Sequence, residues 1–292
     1  MKAWKAIILD LLEVAEMNKL LRSNFSRLWK NKLFWLCMGA MLVYSIVYML
    51  NGCRQATMDM SEYHYGLDQY YFHFALLIGF FCTLFSSMFF GTEYSDGTIR
   101  NKIIVGHTRA NIYMSSLVTT FIATLLIMSA WLVGALIGVP ALGFWKMGVL
   151  HLLEYLFIAV MFVLAFSAIC TVVNILSSNK AITVVVSILL FLGLLIFASM
   201  IYNGLSEPEM TSGVQLTANG LEMAEPTPNP NYISGVTRKI YDFIVDFLPT
   251  GQGLKMWQLE ISNPIRMLVS SAFITVLTTV SGIFAFKRKN IK

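Results

Sequence analysis

The sequence predicts an all-α integral membrane protein with six transmembrane helices. Three observations carry that reading. Of the 292 residues, 57% are hydrophobic and only 13% charged. The mean hydropathy is +0.68. Six apolar runs of bilayer length are separated by polar stretches. A soluble domain places about a quarter of its residues in Asp, Glu, Lys and Arg, and half that charge cannot cover a globule of this size with water-compatible surface. A cytosolic enzyme, a nucleic-acid-binding module and a disulfide-stapled secreted domain are excluded. The net charge of +5 and pI near 9.0 are read as the Lys and Arg excess of inner loops, with no nucleic-acid partner.

Residues 1–32 form a polar N-terminal unit. Trp4, Ile7, Ile8, Leu11, Leu12 and Ala15 recur at helical spacing opposite Lys5, Asp10, Glu13 and Glu16. That pattern has no evident purpose, and Met17 is an alternative start. Then Leu21, Phe25, Leu28 and Trp29 form a stripe flanked by Arg22, Arg27, Lys30 and Lys32. The continuous stripe favours an amphipathic helix in the inner membrane interface over a plain basic flank. No cleavable signal peptide is expected, because 32 residues with seven basic side chains precede the first apolar run and no small-residue cleavage pattern follows it.

A hydrocarbon core of ~30 Å takes about 20 residues of helix. The spans are expected at 33–50, 70–90, 112–139, 152–173, 181–202 and 265–286, within a transmembrane domain over 33–292. Fifteen of the 21 Lys and Arg fall on the side that holds the N-terminus, against five of the 16 acidic residues. The positive-inside rule therefore puts both termini in the cytoplasm. Cys37, Cys82 and Cys170 lie in apolar runs and Cys53 in a polar one, with no CxxC pair, so neither a disulfide nor a metal site is expected.

The inner loop at 92–110 is the most informative. Asp96 is expected to cap a short helix over 97–105, with Gly106 at its C′ position and Thr108 capping the third span. Exposed Arg100, Asn101 and Lys102 fit either a solvated loop or, given two capped turns, a lip that docks into a partner. The outer loop at 203–264 is the longest. Its Pro-rich polar first half is expected to be mobile. Its second half carries the stripe Val236, Ile240, Phe243, Ile244, Phe247 and Leu248, ended by Pro249. A helix over 236–248 is expected on or in the outer leaflet, as a gate or as a simple cap.

No GxxxxGK[ST], HExxH or GxSxG occurs, so the chain is read as no enzyme and as holding no cofactor. His151 and Glu154 sit one turn apart near the outer end of span four, where structural or gating work is expected ahead of proton or metal chemistry. His73 is read as interfacial. The spans otherwise lack the buried Asp, Lys and Arg that an ion-coupled transporter needs. Most of the 17 Met and 21 Phe are read as packing or lipid-facing residues.

The segment FGTEYSDGTIRNKIIVGHTR at 90–109 resembles the E-Y-x-x-G-T-[IL]-R-N-K stretch of bacterial ABC-2 type permeases, the membrane subunits of ATP-binding-cassette transporters. LLRSNFSRLWKNKLFW at 20–35 is similar to that family's N-terminal elbow helix, and DFLPTGQ at 246–252 to its segment ahead of the last span. The resemblance covers about 17–292. It implies an exporter subunit in the bacterial cell membrane that pairs with a second permease, identical or homologous. Each permease would bind a cytosolic ABC ATPase that holds the ATP and Mg. It further implies that Glu93 and Tyr94 anchor the coupling loop, that Gly97 and Thr98 shape its turn, and that Arg100, Asn101 and Lys102 face the ATPase. Spans two and five would line the path. His151, Glu154, Phe243, Phe247 and Pro249 are the outer-gate candidates. The alternative is a peptide sensor or immunity component that binds through the 203–264 loop without transport.

Overall fold

The computed structural model describes residues 2–58, 66–143, 145–177, 179–212, 214–217, 220–223 and 225–290. The two N-terminal helical patterns merge into one helix, α1 (Lys2–Lys30). It buries Leu20, Asn24 and Leu28 against the bundle and leaves Trp29 exposed. The stripe expected from Leu21, Phe25, Leu28 and Trp29 is thus rotated, because Asn24 is drawn inward by polar partners described below. At the junction the Asn31 Oδ1 accepts the Phe34 N–H at 3.1 Å, starting α2 (Lys32–Met58).

The second span is broken. It comprises α3 (Leu67–Tyr71) and α4 (Phe74–Ser95), and it begins earlier than residue 70. One consequence corrects the expectation of spans free of buried Asp. Asp68 is buried, and its Oδ2 accepts the backbone N–H groups of Lys146 and Met147 at 2.8 and 3.0 Å. It thereby pins the loop that leads into the fourth span.

Next come the short α5 (Thr98–Ile104) and α6 (Arg109–Ala135), followed by a 3₁₀ turn (Leu136–Gly138) and α7 (Val139–Leu142). Thr108 caps α6 as expected, accepting the Asn111 N–H at 3.2 Å. Then α8 (Val149–Leu176) and α9 (Lys180–Ser206) form spans four and five. The loop after span five carries two antiparallel ladders, β1 (Met210–Thr211) with β4 (Thr227–Pro228) and β2 (Val214–Thr217) with β3 (Gly220–Met223). Asn229 pinches the base of this stretch through Glu207 and the Pro208 carbonyl. The loop ends in α10 (Gly235–Phe247) and α11 (Pro249–Trp257), and α12 (Pro264–Arg288) is the last span.

Six of these units are long and apolar enough to cross a membrane, and all six expected spans are present. Residues near both chain ends meet the α4–α6 loop. Asn24 of α1 binds Lys102 of α5, and Arg109 binds carbonyls at the end of α12. Both ends of the chain and this loop therefore share one end of the bundle.

The core is aromatic. Phe34, Phe85, Phe89, Trp131, Phe162 and Phe166 pack between α2, α4, α6 and α8, and the Trp131 indole donates to the Tyr71 carbonyl at 2.8 Å. Lipid tails are as apolar as these rings, so close packing rather than water exclusion holds the helices together. Many hydroxyls in the spans bond back one turn, as Thr83 does to Gly79 O and Thr171 to Ser167 O, which spares them exposure to hydrocarbon; Ser187 and Thr279 have no partner among the described residues. Span two is the most enclosed and span five the least. Of the two expected to line a path, one is central within the chain and the other peripheral.

Candidate functional site

The site grows from the end of α4. Its last turn carries Glu93 and Tyr94, and the chain reverses at Gly97, whose φ of 67° is left-handed and suits glycine. Gly97, not Asp96, stands at the N-cap of α5. Asp96 instead closes α4, its N–H bonding to the Thr92 carbonyl, and its backbone (φ −87°, ψ 2°) is not in the extended conformation that an N-cap adopts. The expected Gly106 terminus holds: its φ is 104°, and the Gly106 and His107 N–H groups return to Ile103 O and Lys102 O.

Glu93 is completely buried. Its carboxylate accepts the Lys102 Nζ at 2.9 and 3.0 Å and also pairs with Arg27 of α1, whose guanidinium lies over the Phe89 ring. The third Lys102 donor goes to Asn24 Oδ1 at 3.2 Å, and the Asn24 amide donates to Thr119 of α6. Every donor of the ammonium is used. Four helices are thus tied through one buried ion cluster. Here the expectation fails for Lys102: it does not face outward but is 9% exposed and turned into the cluster.

Tyr94 makes the second anchor. Its hydroxyl donates to Ile175 O at the end of α8, and Lys289 stacks its ammonium 4.2 Å from the ring while donating to Ile175 O and Ser177 O. Arg109 does the same for α12, donating to the carbonyls of Phe286, Lys287 and Lys289. Cations on the last carbonyls of two helices are favoured by the helix dipole. What remains outside these anchors is the free face of α5: Arg100 and Asn101 exposed, with Ile104 at 70% and Val105 at 77%. Apolar side chains this bare beside a cation are a surface that can be covered.

Residues 20–202, which hold this whole arrangement except the C-terminal caps, match the family model of the ABC-2 family transporter proteins. That is well over half of the chain. The chain belongs to this family. It is the permease of an ABC transporter, and its family forms a transport component, not normally catalytic, that associates with an ABC ATPase subunit. No individual curated protein matches it.

The lid formed by α10 and α11 lies beyond the matched residues. Its α10 forms over 235–247, within a residue of the expected bounds, and Phe243 and Phe247 stack at 6.1 Å with Phe273 of α12 beyond them. Pro249 is buried, but it does more than end a helix: it opens α11, which the sequence reading missed. Residues 249–256 of α11 are all buried, wedged among α4, α8, α9 and α10. Gln252 donates to Asp246 O and Met267 O at 2.8 and 3.1 Å and accepts from Ser271 at 2.8 Å. A Cβ at Gly251 would fall on the Val245 carbonyl.

Four charges lock this lid. Lys255 donates to Asp242 and Asp246 at 2.5 and 2.7 Å, and Arg266 reaches both carboxylates, with its Nε 2.6 Å from Asp246 Oδ2. Burial pushes the Asp242 carboxyl up, but the hydrogen bonds and charges of Lys255 and Arg266 together outweigh it and hold it below its ordinary value. The gate candidates Phe243, Phe247 and Pro249 come together here. His151 and Glu154 do not: one is exposed and the other half-buried on α8, and neither has a hydrogen bond or ion pair among the described residues.

Proposed function

We propose that the chain is the permease of a bacterial ABC exporter, with both termini in the cytoplasm and a second permease, identical or homologous, beside it. The end of the bundle that carries the Lys and Arg excess faces the cytoplasm. There the free face of α5 seats in a groove of an ATPase that binds ATP and Mg. The carrying observation is the contrast between the two faces of α5. One is fixed to three other helices, α1, α4 and α6, through the buried Glu93–Lys102 cluster, and the other presents Arg100, Asn101, Ile104 and Val105 bare.

A docking element must be stiff to pass on force. Nucleotide binding has to favour one membrane conformation over another by on the order of 5 kcal/mol for a near-complete switch. Movement of α5 would pull on α1 through Asn24 and Arg27 and on α8 and α12 through the neighbouring Tyr94 and Arg109 caps. The α1 helix acts as the family's elbow at the inner interface, with exposed Trp29 at headgroup level. The α10–α11 lid is the outer gate, opened when the Asp242–Lys255–Arg266–Asp246 lock yields. Spans one, five and six are the least enclosed, which supports burial of one of them against the second permease.

Affinity purification of the tagged chain in mild detergent, with mass spectrometry of what accompanies it, tests this. An ABC ATPase in stoichiometric amount is expected. Its reproducible absence from a folded, dimeric preparation would overturn the docking assignment and favour a ligand sensor.

A further inference from the structure

Behind the lid lies a cavity of about 590 Å³, walled by the end of α9, by α10, by α11 and by the loop to α12. We propose that it is a binding site for a small zwitterion of tripeptide size, taken from the aqueous outer side. The site stands whether or not α5 docks an ATPase.

The charges on its walls are segregated. Lys255 and Asp242 neutralise each other at 2.5 Å. On the α10 wall, Arg238 spends its N–H groups on the neutral carbonyls of Ile233 and Leu205, so no carboxylate cancels its charge. Lys239 next to it is exposed and has no ion pair among the described residues. On the other wall, Glu260 accepts the Tyr202 hydroxyl at 2.6 Å and meets no cation among the described residues. Two unneutralised cations therefore line the same cavity as one unneutralised carboxylate.

A ligand that satisfies both walls carries an anion at one end and a cation at the other, such as a peptide with free termini. Size agrees. A sphere of that volume is about 10 Å across, and three extended residues span at most roughly 10 Å. The volume also falls within the range of about 300–1,000 Å³ usual for small-molecule sites. A zwitterionic lipid headgroup carries the same pair of charges, and the titration tells the two sources apart.

The test is calorimetric titration of the full chain in nanodiscs with tri-alanine bearing free termini, and with its N-acetylated, C-amidated form. Saturable binding of the free form is expected, weakened at least about tenfold by capping, the loss of charge-assisted contacts. Lys239→Glu, which also neutralises Arg238 beside it, and Glu260→Gln, which keeps an acceptor for the Tyr202 hydroxyl, should each weaken it. Both side chains are exposed, and thermal stability should stay nearly unchanged in each variant. Equal binding of the capped peptide, no binding to a folded chain, or undiminished binding in both variants would overturn the proposal. So would binding that appears only when phosphatidylethanolamine is omitted from the discs, which would mark a headgroup as the occupant. An ATPase that still co-purifies in any of these cases leaves the transport reading intact.

Discussion

Arg100 and Lys102 look equivalent in the sequence, two basic residues in one exposed loop. Two positions along an α-helix are about 200° apart round its axis, so only one of them can face outward. Glu93, nine residues earlier and hidden in the last turn of α4, decides which: Lys102 turns inward to meet it. The two cations therefore have different roles and separable mutants. Glu93→Gln leaves Lys102 and Arg27 without their counter-charge in a buried site, and its expected cost is about 3–5 kcal/mol of stability. Lys102→Met is milder, about 1–3 kcal/mol, because Arg27 still pairs with Glu93. Arg100→Glu should leave the melting temperature in detergent unchanged and abolish ATPase co-purification. Loss of stability in the Arg100 variant, or none in the Glu93 variant, would reverse the assignment of the two faces.

At the scale of elements, spans and α10 were legible because each has a length or a period that chemistry enforces: bilayer thickness for the spans, a repeating apolar stripe for α10. The α11 helix had neither. PTGQGLKMW opens on proline and holds two glycines, poor helix formers that read as a turn. Packing overrides propensity here, since small residues let the backbone press against Val245 and Ala75. The lock was hidden for another reason: Asp242, Asp246, Lys255 and Arg266 come from three elements, and no spacing announces their meeting. Its pH dependence follows from Asp242. A carboxyl held below its ordinary value contributes stability that is present above that value and is lost as pH falls through the lowered one. The lid should therefore be indifferent to pH between neutrality and the ordinary carboxylate range. Limited proteolysis of the 203–264 loop should accelerate only below about pH 4, and Asp242→Asn should be protease-sensitive at neutral pH already. Loosening of the wild-type lid with a midpoint near pH 6 would show that another group controls it.

Across the whole molecule, the two ends of the bundle are built on different plans. The α5 end lies mainly within the family-matched 20–202 region and is tied by buried charge and capped carbonyls. The α10–α11 end lies beyond that region and combines an apolar exposed stripe with a charged opposite face. Both chain ends share the α5 end, and the Lys and Arg excess there predicts that it faces the cytoplasm. Cysteine labelling decides it. Cys37, Cys82 and Cys170 are buried and Cys53 is partly so, which makes Cys53→Ser a clean background for membrane-impermeant maleimide. Glu209→Cys and Glu225→Cys, both at exposed positions in the long loop, should label in intact cells. Asp96→Cys and Val105→Cys, exposed around α5, should label only after permeabilisation. The opposite pattern would put α5 outside, beyond the reach of any ATP-driven partner, and would leave the zwitterion cavity facing the cytoplasm.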